Sequence, residues 1–153
     1  MGSEFSYQRR VAFSETDMAG IVHFAEIFRY MEEAEHAFYR SLGFSVHPKK
    51  EGRFDESVGW PRVKASAEYR RPLEFEEVVT VELRVSQVGS KSLDHRFLLR
   101  KETGEVAAKG ALKVVCVRRQ PDGPMKAVSI PDEIRSQIMV AEAASLEEWE
   151  ALT

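Results

Sequence analysis

The residues from Phe24 to Leu42 constrain this chain more than any other stretch. Phe24, Ile27, Phe28, Met31, Ala34, Phe38 and Leu42 recur every three or four positions, while Glu26, Arg29, Glu32, Glu33, Glu35 and Arg40 fall at other angles. That spacing predicts a helix with one apolar stripe. At ~1.5 Å per residue it reaches roughly 28 Å, about the width of a small domain. Gly43 follows as the left-handed residue that commonly ends a helix. One long helix cannot bury its stripe alone, so the remaining chain must supply the opposing surface.

Period-two runs on either side supply it. Phe5, Tyr7, Val11 and Phe13 mark a strand over Phe5–Ser14, broken in its alternation by Arg9. Val63, Ala65, Ala67 and Tyr69 alternate with polar residues up to Pro72, which cannot donate to a ladder. Val79, Val81, Leu83 and Val85 form the next run, then Leu93, His95, Phe97 and Leu99, and a last strand over Glu105–Arg118. Gly89-Ser90 and Thr103-Gly104 are the turns of a three-strand meander. Ser45–Ser57 lacks periodicity and reads as a loop. After the turn Pro121-Asp122-Gly123-Pro124, Pro131 is placed to open a short helix as its first residue. Ser145 and Glu148 have capping-box spacing ahead of Trp149. The expectation is one α+β domain over residues 1–153, its core about 5–119 and a peripheral helical tail about 131–152, with the helix wrapped by an antiparallel sheet. Cystatin-like, helix-grip and NTF2-like folds also pair a helix with a curved sheet, so periodicity does not name the fold.

Composition narrows the function classes. The chain has 153 residues with 22 basic and 25 acidic side chains, a formal net charge of -3 that leaves no electrostatic footprint for nucleic acid. No run approaches the roughly 18 consecutive apolar residues of a membrane span, and no basic, then apolar, signal pattern begins the sequence. A cytoplasmic protein is expected. The single cysteine, Cys116, lies in the apolar run Leu112–Val117 and reads as a small buried hydrophobe. His36, His47 and His95 have no metal-ligand spacing, so no metal is expected, and His95 on an apolar strand face reads as a core histidine.

Chemistry concentrates in Thr16-Asp17-Met18-Ala19-Gly20-Ile21-Val22-His23-Phe24, between the first strand and the helix. The first turn of a helix carries unpaired N–H donors and a partial positive charge, which suit an oxyanion formed from a carbonyl. Gly20 lets the backbone turn with little bulk beside a ligand. Asp17 stands seven residues ahead of Phe24, near enough for a folded-back loop to present its carboxylate as nucleophile or general base. The bland alternative for Asp17 is a loop or capping aspartate.

The Asp17–Val22 segment resembles the Asp-x-x-Gly-[Ile/Val]-Val motif of the 4-hydroxybenzoyl-CoA thioesterase family, whose members have the hotdog fold. The likeness extends to Tyr30-Met31-Glu32-Glu33-Ala34, to Glu68-Tyr69-Arg70-Arg71-Pro72-Leu73, to Val88–Leu93 and to Ser129-Ile130-Pro131, roughly Tyr7 to Ile138 in all. It implies a long central helix wrapped by a five-stranded antiparallel sheet. It also implies an acyl-CoA thioesterase with Asp17 catalytic, the backbone N–H of Phe24 polarising the carbonyl, and Ser90, Lys91 and Ser92 on the coenzyme A side. No cofactor is implied beyond the coenzyme A of the substrate. Many relatives carry a histidine one position later than His23, where this chain has Phe24, so His23 is either catalytic or a polar cap. A second hotdog thioesterase group uses a carboxylate of the central helix, which points to Glu33, or to Glu32 beside it. The alternative for both is a solvated helix face. Arg70, Arg71, Arg118 and Arg119 are candidates for coenzyme A phosphates, and Phe24, Phe28, Trp60 and Tyr69 for the acyl group. The family pairs as homodimers or homotetramers, which implies a site between subunits. A hydratase or dehydratase on acyl thioesters, a non-catalytic ligand-binding protein and an oligomeric scaffold remain the competing readings.

Overall fold

The computed structural model describes residues 2–46, 58–120 and 122–152. In chain order the elements are β1 (Glu4–Arg10), a 3-10 turn (Phe13–Glu15), α1 (Glu26–Ser41), β2 (Val58–Gly59), β3 (Arg62–Tyr69), β4 (Val78–Val88), β5 (Ser92–Arg100), β6 (Val106–Val115), β7 (Val117–Gln120), β8 (Gly123–Ala127), α2 (Asp132–Arg135) and α3 (Ala143–Ala151). Five strands form an antiparallel sheet in the order β1-β4-β5-β6-β3, and a small second sheet runs β2-β7-β8. Most of the expected loop over residues 45–57, His47 included, lies outside the described residues. None of the described helices is long and apolar enough to cross a membrane.

The stripe of α1 is buried as its period requires: Ile27, Met31, Ala34 and Phe38 are each at most 4% exposed. Close approach to the sheet depends on Gly110 of β6, where an added Cβ would lie 2.2 Å from Met31 Sδ and 3.0 Å from the Ser66 carbonyl oxygen. Beneath the helix, β4 and β5 offer Val81, Leu83, Leu93 and Phe97, all essentially inaccessible. Burying such faces, at about 25 cal/mol per Å² of apolar surface, is the main term that joins helix to sheet. His95 is buried on β5, where its Nε2 and the Tyr39 hydroxyl lie 2.8 Å apart, and Cys116 is buried as expected.

Several boundaries differ from the expected ones, each for a local reason. The first strand stops at Arg10, because the 3-10 turn begins at Phe13 and the Ala12 N–H bonds the Glu15 carboxylate at 2.7 Å. The helix starts at Glu26 rather than Phe24, with Phe24 and Ala25 in the turn that leads into it. The last expected strand divides at Cys116, whose N–H goes to the Lys91 carbonyl, and its second half pairs with β8. Pro131 is the residue before α2, not its first. Ser145 lies inside α3, which starts at Ala143, and Glu148 pairs with Arg84 and Arg100 instead of closing a capping box. The tail is docked: Trp149 is 9% exposed, and its indole N–H donates to the Phe97 carbonyl at 3.0 Å.

The apolar row on β3 departs furthest from expectation. Its alternation reads as half-buried, yet Val63 is 59% and Tyr69 50% exposed, and the polar row between them is exposed as well. β3 is an edge strand, so its outer backbone groups are also unpaired within the sheet.

Candidate active site

Residues 15–23 form a small hairpin tied to both the sheet and α1. Thr16 and Val22 make an antiparallel bridge, the Asp17 N–H donates to the Ile21 carbonyl at 2.8 Å, and the Gly20 N–H returns to the Asp17 carbonyl at 3.0 Å. The tip needs a positive φ, and Gly20 provides it at 81°. Asp17 Oδ1 accepts the Ala19 N–H at 2.8 Å, the Asx turn that its short side chain favours. The side chain is thereby held by one oxygen, on an exposed residue.

Asp17 borders a cavity of about 480 Å³ whose other walls include Ile21, Val22, Phe24, Ile27, Tyr69, Leu73 and Ala108. Its size falls within the range of small-molecule sites, and its lining is mostly apolar with one carboxylate at the edge. Phe24 enters from the turn ahead of α1. Among the described residues its N–H has no acceptor, whereas the His23 N–H is used by the Glu15 carbonyl at 2.9 Å. The Tyr69 hydroxyl donates to the Phe24 carbonyl at 2.9 Å, and the two rings meet edge to face at 6.5 Å. Strand β3 and the turn ahead of α1 are thus fixed to one another beside Asp17.

Arg70, Arg71 and Pro72 form a further wall, and Tyr69, Arg70 and Arg71 also border an adjoining depression of about 560 Å³. The N–H groups of both arginines go to the Ala107 carbonyl, at 2.8 and 3.0 Å, so the backbone there is anchored. Arg71 pairs with Glu105 at 3.3 Å, both side chains being more than half exposed, an arrangement worth little in stability and free to exchange partners.

The other residues expected at the site are dispersed. The exposed His23 ring lies 4.6 Å from that of Phe24, and its Nδ1 accepts the Ala25 N–H at 3.3 Å, which makes it a cap on the turn outside the cavity walls. Arg9 holds both Glu33 carboxylate oxygens at 2.7 Å. Ser90 and Lys91 lie in the turn between β4 and β5 and Ser92 opens β5; the Ser90 carbonyl accepts the Ile130 N–H and the Lys91 carbonyl the Cys116 N–H. Trp60 lines a separate cavity of about 360 Å³ near the C-terminal half of α1, with His36, Arg62, Arg119 and Met125.

That second cavity is bordered by a carboxylate which sequence reasoning assigned only to the outer face of the helix. Glu35 is 1% exposed, and burial raises its carboxyl from 4.5 to about 7, against the lowering influence of Arg62 at 2.6 Å. Tyr39 donates to it at 3.3 Å and also meets His95, whose imidazole burial lowers from 6.5 to about 3. No periodicity distinguishes Glu35 from Glu32 or Glu33. Its ion-pair partner Arg62 comes from β3, 27 positions away, and Tyr39, one turn on along α1, links it to His95 of β5.

The sequence matches the Thioesterase-like superfamily over residues 11–138. It is 28% identical over 137 residues to a 1,4-dihydroxy-2-naphthoyl-CoA hydrolase from Trichodesmium erythraeum, covering 88% of this chain and 95% of that one. An acyl-CoA thioesterase from Haemophilus influenzae is 27% identical over 133 residues, covering 86% and 92%. A crystal structure of a hypothetical protein from Aquifex aeolicus superposes with a TM-score of 0.75 at 34% identity, covering 87% of this chain and 98% of that one. With a long helix wrapped by a five-stranded antiparallel sheet and a family match across most of its length, the chain belongs to the thioesterase-like superfamily and is a hotdog-fold thioesterase.

Proposed function

We propose that this protein hydrolyses the thioester of an acyl-CoA whose acyl group is aromatic or similarly compact and apolar, with Asp17 acting at the carbonyl carbon. The observation that carries the reading is that Asp17 and Phe24, whose N–H has no acceptor among the described residues, border one largely apolar cavity. The thioester oxygen accepts the Phe24 N–H and gains negative charge as the carbon is attacked. Asp17 either adds to that carbon, giving an anhydride that water then opens, or takes a proton from the attacking water. In both routes the C–S bond breaks and the thiolate leaves with a proton, releasing the free acid and coenzyme A. Phe24, Ile27, Tyr69 and Leu73 surround the acyl group, while Arg70 and Arg71 stand where coenzyme A phosphates leave the cavity. The activities named for the Trichodesmium and Haemophilus relatives support this substrate class.

We also infer a homo-oligomer joined through β3. An exposed edge with an apolar row is an association surface, and Tyr69 at its end already borders the cavity. A second copy paired there would complete the wall beyond Tyr69.

Thiol release from a panel of acyl-CoAs, followed with a thiol-reactive dye, tests the reading. Aromatic thioesters turn over, and Asp17→Asn lowers kcat at least ~100-fold, the scale for losing a positioned acid–base or nucleophilic group. Absence of thiol release from every ester, or an Asp17→Asn protein as active as the parent, overturns it.

A further inference from the structure

We propose that Arg9, Glu15 and Tyr30 form a clamp that positions Asp17 and the Phe24 N–H together, and that Arg9 is its central member; the proposal rests on the catalytic reading of those two groups. Glu15 precedes Asp17 by two residues. Its backbone carbonyl accepts the His23 N–H at 2.9 Å, so the residue next to Phe24 hangs from the same point as the stem of the Asp17 hairpin. Wherever Glu15 moves, the carboxylate and the carbonyl-binding donor move with it.

The Glu15 side chain is fixed from three directions. Arg9 of β1 donates through Nη2 to its carboxylate, Tyr30 of α1 donates its hydroxyl to Oε1 at 3.0 Å, and the Ala12 N–H donates to the same oxygen at 2.7 Å. Arg9 is itself held by Glu33, with Nη1 2.7 Å from both carboxylate oxygens, and its guanidinium lies 4.1 Å from the centroid of the Tyr30 ring. Arg9 and Glu15 side chains are each 14% exposed, enough burial for their charges to act with little screening. A planar guanidinium presents separate N–H donors to two carboxylates in its plane while its face covers a ring, a geometry that the compact ammonium of lysine does not reproduce. Glu33 therefore serves the site from a distance, through Arg9.

None of the three side chains borders the cavity. The clamp makes no substrate contact, so it influences turnover through the placement of Asp17 and the Phe24 N–H rather than through affinity. Displacing reacting groups by about 1 Å can reduce a rate on the order of 100-fold.

The test is steady-state kinetics of Arg9→Lys, Glu15→Gln and Tyr30→Phe with an acyl-CoA that the parent hydrolyses, alongside Asp17→Asn and thermal melting of each protein. Arg9→Lys is expected to lower kcat ~10- to 100-fold while KM stays within ~3-fold, at a temperature where the variant is fully folded. Tyr30→Phe, which removes one hydroxyl, keeps the proposal testable if the charge variants do not fold, and lowers kcat in the same sense by a smaller factor. Folded variants whose kcat remains within ~3-fold of the parent overturn the clamp, as does a change confined to KM. If Asp17→Asn alone is fully active, the catalytic reading fails instead, and the two failures are told apart in one series.

Discussion

Replacing Glu35 by glutamine is expected to change the pH dependence of stability more than stability at any one acidic pH. The folded carboxyl titrates near 7 and the unfolded one near 4.5, so between those values the folded protein holds a proton that the unfolded chain has released. The contribution is complete below 4.5 and is lost as pH rises through 7. At about 1.36 kcal/mol per pK unit, the loss between pH 5 and 8 is on the order of 2–3 kcal/mol. His95 runs the opposite way: its folded value is lowered from 6.5 to about 3, so its contribution is present above 6.5 and lost as pH falls toward 3. In the parent the two slopes oppose each other from 4.5 to 6.5. Glutamine matches the shape of the protonated acid, can accept from Arg62 and can pair with Tyr39, and it does not ionise. Urea denaturation at one fixed protein concentration, so that any self-association contributes equally, measures the difference at pH 5 and pH 8. Glu35→Gln should gain on the parent by that amount at pH 8, and its own stability should climb from pH 5 to 6.5, because burial lowers both His95 and the half-buried His36. A difference that stays constant, or grows against glutamine at pH 8, would show that Arg62 keeps Glu35 ionised throughout and would refute the reasoning.

Gly110→Ala should lower stability by about 1–3 kcal/mol, since its Cβ meets Met31 Sδ and the Ser66 carbonyl, and Tm should fall roughly 2–4 °C for each kcal/mol; an unchanged Tm would mean α1 can lift off the sheet without cost. Val63→Glu places a charge on the exposed apolar row of β3 and should shift the protein toward monomer in sedimentation, with activity falling alongside. A parent that is monomeric and fully active would remove the basis for both effects.

Much of this was legible in the sequence where a residue's fate depends on its own neighbours in the chain. Ile27, Met31, Ala34 and Phe38 announce the buried stripe of α1, and Asp17 with Gly20 announces a turn ahead of it, because period and turn chemistry are local. The burial of Tyr30 and Glu35 is not legible in the sequence, since polar groups go inside only when partners meet them, and Glu15 of the 3-10 turn, Arg9 of β1 and Arg62 of β3 are brought to them by the fold. The same distance hid the clamp: Arg9 reads as a break in a strand's alternation until β1 lies beside α1. Val63 and Tyr69 have the pattern of covered residues but lack a cover within the described chain, because a pattern records that a face is apolar and not which molecule meets it.

The docking of α3 has a consequence for how the subunit can be stacked. Leu83, Arg84 and Val85 on β4, and Phe97, Leu98 and Leu99 on β5, are buried in unbroken runs, so both faces of the sheet are covered there. Outside, Trp149 lies between Arg96 and Lys109, whose cations sit 4.4 and 4.1 Å from its ring, and Glu148 ties Arg84 and Arg100. A second sheet laid flat against these strands would have to displace α3. α3 thus occupies the platform on which layers could otherwise pile, and any assembly built from this chain would have to grow sideways, along the edges of the sheet.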